Sequence, residues 1–309
     1  KIEEFPIKVI NVMENNGLNQ ELILVRTSGE KMKEIGGIAA GMSGSPVYVD
    51  DKLLGAVAYS WEDGSGLYAL LTPINRMLDL FNEKSTSNIK EFSGNQKISF
   101  SLGENITKVN SPLMVSGMNG RALERLKDDM AKYDMRVVPG GDKKSREKSN
   151  GKIQAGSAVA VQLVTGDINI SSIGTITYVE DNKILAFGHP FTNRGKVNYL
   201  MSEAFINATI PNNKQPFKLG SPIDHPLGIV NTDRGAGIAG EINEFPEIIP
   251  FKINVKDSER NIRKMVELQI VRDEKLFSSL AINTALQSID SIIDRLGKGT
   301  AKVDLSVMG

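Results

Sequence analysis

Gly36-Gly37-Ile38-Ala39-Ala40-Gly41-Met42-Ser43-Gly44-Ser45-Pro46, followed closely by Leu53-Leu54-Gly55-Ala56-Val57-Ala58-Tyr59-Ser60-Trp61, decides how this chain folds. The first segment is a turn. Four glycines allow positive φ and close backbone approach, and Pro46 restarts an extended chain. The second segment is a short strand rich in Leu, Val and Tyr. The same alternation runs outward in both directions. Residues 5–12 and 22–26 come before, and 46–49 and 67–71 lie around it, with Asn15-Asn16-Gly17 and Asp50-Asp51 as turn signals.

Further along, the rhythm changes and then returns. A short helix is expected over 73–81, with Pro73 at its first position and Ile74, Met77, Leu78 and Phe81 on one face. Residues 82–107 are polar and read as a connection. A helix over 119–133 is capped by Asn119 and striped by Leu123, Leu126 and Met130. The run from Gly140 to Gly151 is a solvated loop. Strands resume at 158–164, 173–179, 184–187, 199–210, 227–230 and 248–255. A long helix over 274–296, stopped by Gly297, comes last. The expectation is a mainly β fold of two β-rich halves. Residues 1–83 form the serine-bearing half, 84–151 a linker with one helix, 152–272 the histidine-bearing half, and 273–309 a helix and strand.

Composition narrows the chemistry. The 309 residues carry 37 basic and 37 acidic side chains, so no charge excess points to nucleic acid. Cysteine is absent, which removes thiol nucleophiles, disulfides and cysteine-based zinc sites. No apolar run reaches the roughly 18 residues of a membrane span. The opening Lys1-Ile2-Glu3-Glu4 is not a signal peptide. Gly235-Ala236-Gly237-Ile238-Ala239-Gly240 fits a dinucleotide pattern, but Pro246 follows too early for the helix such a site needs. No phosphate-loop lysine and no His-Glu-x-x-His is present, so neither an organic cofactor nor a metal is expected.

A serine hydroxyl becomes a nucleophile when a tight turn exposes it, a base adjoins it, and N–H groups face the developing oxyanion. The turn at Ser43 meets the first condition. The base must come from the chain's two histidines. His189 ends an apolar strand in Ile184-Leu185-Ala186-Phe187-Gly188-His189, a placement both fixed and reachable. His225, in Ile223-Asp224-His225-Pro226, reads as a turn residue.

Gly-x-Ser-Gly-Ser-Pro is similar to the nucleophile loop of trypsin-like proteases. That likeness implies an oxyanion hole formed by the N–H groups of Gly41 and Ser43. It also makes the strand ending in Ser60-Trp61 the edge that pairs with a peptide substrate. By the same likeness Gly37 stands at the base of the specificity pocket, and its lack of charge argues against a preference for Arg or Lys.

The serine block, the Ile173-Gly174-Thr175-Ile176-Thr177 and Ala186-Phe187-Gly188-His189 blocks, and Gly237-Ile238-Ala239-Gly240 resemble the SpoIVB (S55) peptidases. The resemblance implies a trypsin-like double β-barrel and a serine endopeptidase working outside the cytoplasm on protein substrates. It also implies self-cleavage, with 140–151 as the candidate loop. Ser43 precedes His189 here, whereas the family's histidine block comes first, so the chain looks circularly permuted. Where the family has an acidic residue before the serine, this sequence has Ser28.

The carboxylate that would orient His189 is therefore sought elsewhere. Asp233 follows His189 by roughly 45 residues, the spacing of the trypsin-like template. It can equally be a turn residue paired with Arg234. Glu203 and Asp167 are the other choices, and a Ser/His dyad is the remaining one. A rival reading keeps the protease-like fold as a peptide-binding module without turnover.

Overall fold

Short apolar runs punctuated by glycine and Asx turns bury enough side chains only when paired edge to edge. The computed structural model describes residues 2–15, 20–61, 66–82, 98–100, 103–109, 112–140, 152–211, 215–293 and 302, and there those runs form two sheets. The first contains β1 (Ile7–Asn15), β2 (Gln20–Thr27), β3 (Pro46–Val49), β4 (Lys52–Trp61), β5 (Tyr68–Pro73), β6 (Ile98–Phe100) and β7 (Gly103–Lys108). Its order is β1-β2-β5-β4-β7-β6, with β3 also on β4. Val25, Met32, Ile38, Val57 and Leu71 form a core on it.

The second sheet contains β8 (Leu113–Ser116), β9 (Val137–Pro139), β10 (Ala158–Gly166), β11 (Asn169–Glu180), β12 (Lys183–Ala186), β13 (Gly195–Ile210), β14 (Phe217–Arg234), β15 (Gly237–Ile242), β16 (Ile248–Asp257) and β17 (Ile262–Val271). Six of these strands close on themselves in the order β10-β13-β14-β15-β12-β11, sealed by the β10–β11 pairing. Closure removes free edges and encloses a core that includes Val161, Ile170, Ile176 and Tyr199. Repeated register shifts between β13 and β14 bend this long ribbon around the barrel. The architecture is mainly β and consistent with a trypsin-like double barrel. The histidine-bearing body is the one that closes.

Helices are few: α1 (Glu30–Glu34), α2 (Ile74–Leu78), α3 (Gly120–Ala131) and α4 (Phe277–Asp290). Leu126 and Met130 of α3 and Leu280 of α4 are buried in the barrel core. Each such side chain contributes about 1.5–3 kcal/mol on leaving water. Asp129 on α3 accepts hydrogen bonds from Ser279 and Asn283 on α4, at 2.8 and 3.0 Å. No helix among the described residues is long and apolar enough to cross a membrane.

Several expectations shift in detail. The described parts of the segment read as a linker are divided: β6 and β7 join the serine sheet, while β8, β9 and α3 join the histidine body. Asn119 precedes α3 without a side-chain cap; its N–H donates to Gln287 Oε1. The last helix ends at Asp290, and Gly297 and the expected final strand lie outside the described residues, apart from residue 302. So do residues 141–151 of the polar loop. His225 lies within β14 and is exposed, not in a turn. The glycine-rich 235–240 segment opens strand β15 of the barrel.

Candidate active site

The serine turn is wedged between the two bodies. Gly41 and Gly44 adopt φ of +94° and +87°, values that L side chains avoid. The turn is closed by the Ser45 N–H on the Met42 carbonyl, at 2.9 Å. Gly44 donates to the Val57 carbonyl of β4 at 2.8 Å, and Val57 returns a bond to the Ser45 carbonyl. On the other side, the Ser43 carbonyl accepts the Thr175 N–H of β11 at 2.9 Å. The Thr175 and Thr177 hydroxyls donate to the carbonyls of Gly41 and Gly44. A Cβ on Gly44 would lie 2.0 Å from the Thr175 carbonyl oxygen, so only glycine permits this contact.

The histidine arrives from the barrel at the same place. β12 is followed by Phe187 and Gly188, both at positive φ, +70° and +66°. Such a conformation is unusual for a bulky residue, and it turns the chain sharply before His189. The Gly188 carbonyl accepts the Thr72 hydroxyl of β5 at 2.5 Å. A Cβ on Gly188 would lie 3.0 Å from the Val57 carbonyl oxygen. Val57 thus touches both the residue after Ser43 and the residue before His189.

Ser43 and His189 are each 1% exposed. Ser43 Oγ and His189 Nε2 are buried without a hydrogen-bond partner among the described residues. Buried polar atoms left this way are uncommon and occur at catalytic sites. His189 Nδ1 lies 3.0 Å from the Pro190 carbonyl, which can only accept, so Nδ1 carries the hydrogen and Nε2 the lone pair. Burial pushes the His189 pKa down to about 4, and the main chains of Pro190 and Val109 offset this in part. The ring is neutral at pH 7, in the tautomer a general base requires. Its neighbours include Tyr59 and Phe187, at centroid distances of 6.4 and 6.0 Å. The Gly41 and Ser43 N–H groups donate to no described residue.

Asp233 is not on the ring. Its carboxylate is fully buried and accepts the N–H groups of Phe191, Thr192 and Asn193, at 2.8, 2.5 and 3.0 Å, and the Thr192 hydroxyl at 2.5 Å. It holds the loop that follows His189. Neither the expected bond to the histidine nor the alternative pairing with Arg234 describes these contacts. Burial raises its pKa, and the four donors work against that rise. Arg194, paired with Asp273, anchors the loop's far end. Asp167 accepts the Glu267 N–H. Glu203 stands on β13 opposite Val159. Ser28 is exposed and bonded to Pro6.

The residue that sequence reasoning missed is Pro190, whose carbonyl occupies the position a triad carboxylate usually fills. A main-chain acceptor has no sequence signature. The geometry is now a serine on a glycine turn, with unengaged N–H groups and a neutral histidine close by. Residues 1–78 match the SpoIVB peptidase S55 family. The match includes Ser43 and ends before His189, and it supports a serine peptidase at the level of the family. No curated protein and no solved structure matches the chain.

Proposed function

We propose that the chain is a serine endopeptidase. Ser43 attacks a peptide carbonyl while His189 Nε2 takes its proton. The C–N bond breaks as that proton passes to the leaving amine, and water, deprotonated through His189, then hydrolyses the acyl-enzyme and restores the Ser43 hydroxyl. The N–H groups of Gly41 and Ser43 hold the oxyanion. Pro190 orients the ring, and Asp233 acts as a positioning residue through the 191–193 loop. The observation that carries this reading is the pair of buried, unpartnered atoms, a hydroxyl and an imidazole nitrogen, delivered by separate bodies to one junction at Val57.

The serine sheet precedes the histidine barrel, the reverse of the trypsin-like order. Triad geometry is independent of chain order, so a circularly permuted double barrel supports the same chemistry. The family match favours protein substrates and work outside the cytoplasm.

A second reading, a peptide-binding module without turnover, draws on one observation. Oγ and Nε2 do not bond each other, and no carboxylate meets the ring. A fluorophosphonate probe separates the two. The peptidase labels at Ser43, loses labelling in Ser43→Ala, and loses at least a hundredfold in rate in His189→Gln. A folded protein that stays unlabelled with the probe in excess, even when residues 106–109 are displaced as described below, is the module.

A further inference from the structure

The edge of β4 expected to receive substrate is already taken by the chain itself. Tyr59, Ser60 and Trp61 pair antiparallel with Lys108, Thr107 and Ile106 of β7. Just beyond β7, the Val109 N–H donates to the Ala58 carbonyl at 2.9 Å. Gly44 of the serine turn takes the neighbouring Val57 carbonyl. Consecutive carbonyls of a regular strand face opposite edges. The pairing of β4 with β5 is irregular between Val57 and Tyr59, and there both carbonyls serve this side. Val109 and the serine turn are therefore adjacent along one edge.

The side chain of Val109 completes the picture. It is fully buried in the apolar cluster of Met32, Ile38, Val57, Ala69 and Leu71. These residues come from the chain on either side of the serine turn and from the strands flanking it. Gly37 closes against Gly66, where a Cβ would meet backbone at 2.4 Å, so neither of these two residues can carry a side chain there. The Val109 main chain also lies beside the His189 ring, near the charge of Lys108.

We infer that residues 106–109 occupy the peptide-binding cleft of the Ser43–His189 centre as an internal substrate mimic, with Val109 in the specificity pocket. This rests on the peptidase reading for its catalytic meaning, but not for the docking itself. The cleft accepts extended chains through main-chain bonds to β4, with a small aliphatic residue, valine in kind, next to the serine. A peptide substrate enters by displacing residues 106–109. The burial of Ser43 and His189 at 1% exposure is the consequence.

Docking is tested apart from catalysis in Ser43→Ala protein, using fluorescein-labelled Gly-Glu-Asn-Ile-Thr-Lys-Val, the sequence of residues 103–109. Val109→Asp is expected to empty the pocket and tighten peptide binding at least tenfold by anisotropy. The same peptide ending in Asp should not bind. Val109→Ala, a gentler change, should tighten binding at least threefold and serves where Val109→Asp does not fold. Folded variants that bind no better than the parent overturn the proposal, as does equal binding of the Asp-ended peptide. With Ser43 restored, Val109→Ala should label with fluorophosphonate at least tenfold faster than wild type. Tighter peptide binding without any labelling upholds the docking and removes the peptidase. Labelling equally fast in wild type and variants, without peptide binding, removes the docking and keeps the peptidase.

Discussion

The Phe191 N–H donates to the buried carboxylate of Asp233 at 2.8 Å, and the next two residues donate to its other oxygen. Asp233→Asn replaces one acceptor oxygen with an NH₂ group that faces these donors. Breaking a buried, charge-assisted cluster costs about 3 kcal/mol. We expect a loss of that size in urea unfolding. Labelling at Ser43 should fall as the histidine loop loosens, with the pH dependence of the residual rate unchanged. A shifted pH profile would instead mean that Asp233 acts on the ring.

Gly44→Ala tests the seam between the bodies. The new methyl would sit 2.0 Å from the Thr175 carbonyl, at a φ of +87°. Overpacking and left-handed strain together cost about 3 kcal/mol. Gly120→Ala is the control, since φ there is +53° with nothing within 4 Å, and strain alone costs about 1 kcal/mol. Urea midpoints should rank the two in that order, and only Gly44→Ala should abolish labelling. Equal losses would show that the serine turn is not seated against β11.

Much of this site was legible because its signals are local. Glycine at Gly41 and Gly44, Pro46 after the turn, and the apolar run into Ser60-Trp61 each constrain their own few residues. The resemblance of the serine block has its counterpart in the family match over residues 1–78. What was illegible depends on pairing. Asp233 reaches the histidine loop because β14 sets it opposite Gly195 of β13, and spacing along the chain does not reveal which donors it meets. Residues 103–107 read as part of a connection because their polar sequence has no strand alternation; the edge of β4 supplies the partner that makes them, with Lys108, β7. β17 was missed for a similar reason, its first half being exposed and charged.

Thr72→Val removes a buried bond without changing shape. The Thr72 hydroxyl holds the Gly188 carbonyl, one residue before His189. A carbonyl left unsatisfied costs about 1–3 kcal/mol. Stability should drop by that amount. In a Val109→Ala background, peptide hydrolysis should lose kcat with little change in KM, because the cleft is intact and only the base is misplaced. A change confined to KM would place Thr72 in substrate binding instead.

The pH dependence follows from the buried imidazole. His189 has a folded pKa of about 4, against about 6.5 in an unfolded chain. A depressed pKa means that the unfolded chain binds the proton more readily. The contribution of neutral His189 is therefore fully present above pH 6.5 and is lost as pH falls towards 4. Its size is up to about 3 kcal/mol by linkage. The raised pKa of Asp233 acts in the opposite sense on acidification, so wild type alone does not isolate the histidine. The difference between wild type and His189→Gln does. Urea unfolding from pH 4 to 8 should show wild type losing stability more steeply below pH 6.5 than the variant. Displacing residues 106–109 hydrates the ring, so in Val109→Ala its pKa should rise towards 6.5. With two histidines in the chain, the ring-proton NMR signals can be assigned by the His189→Gln spectrum. A His189 signal that titrates near 6.5 in wild type would mean that the ring is not buried, and parallel unfolding slopes would agree with it.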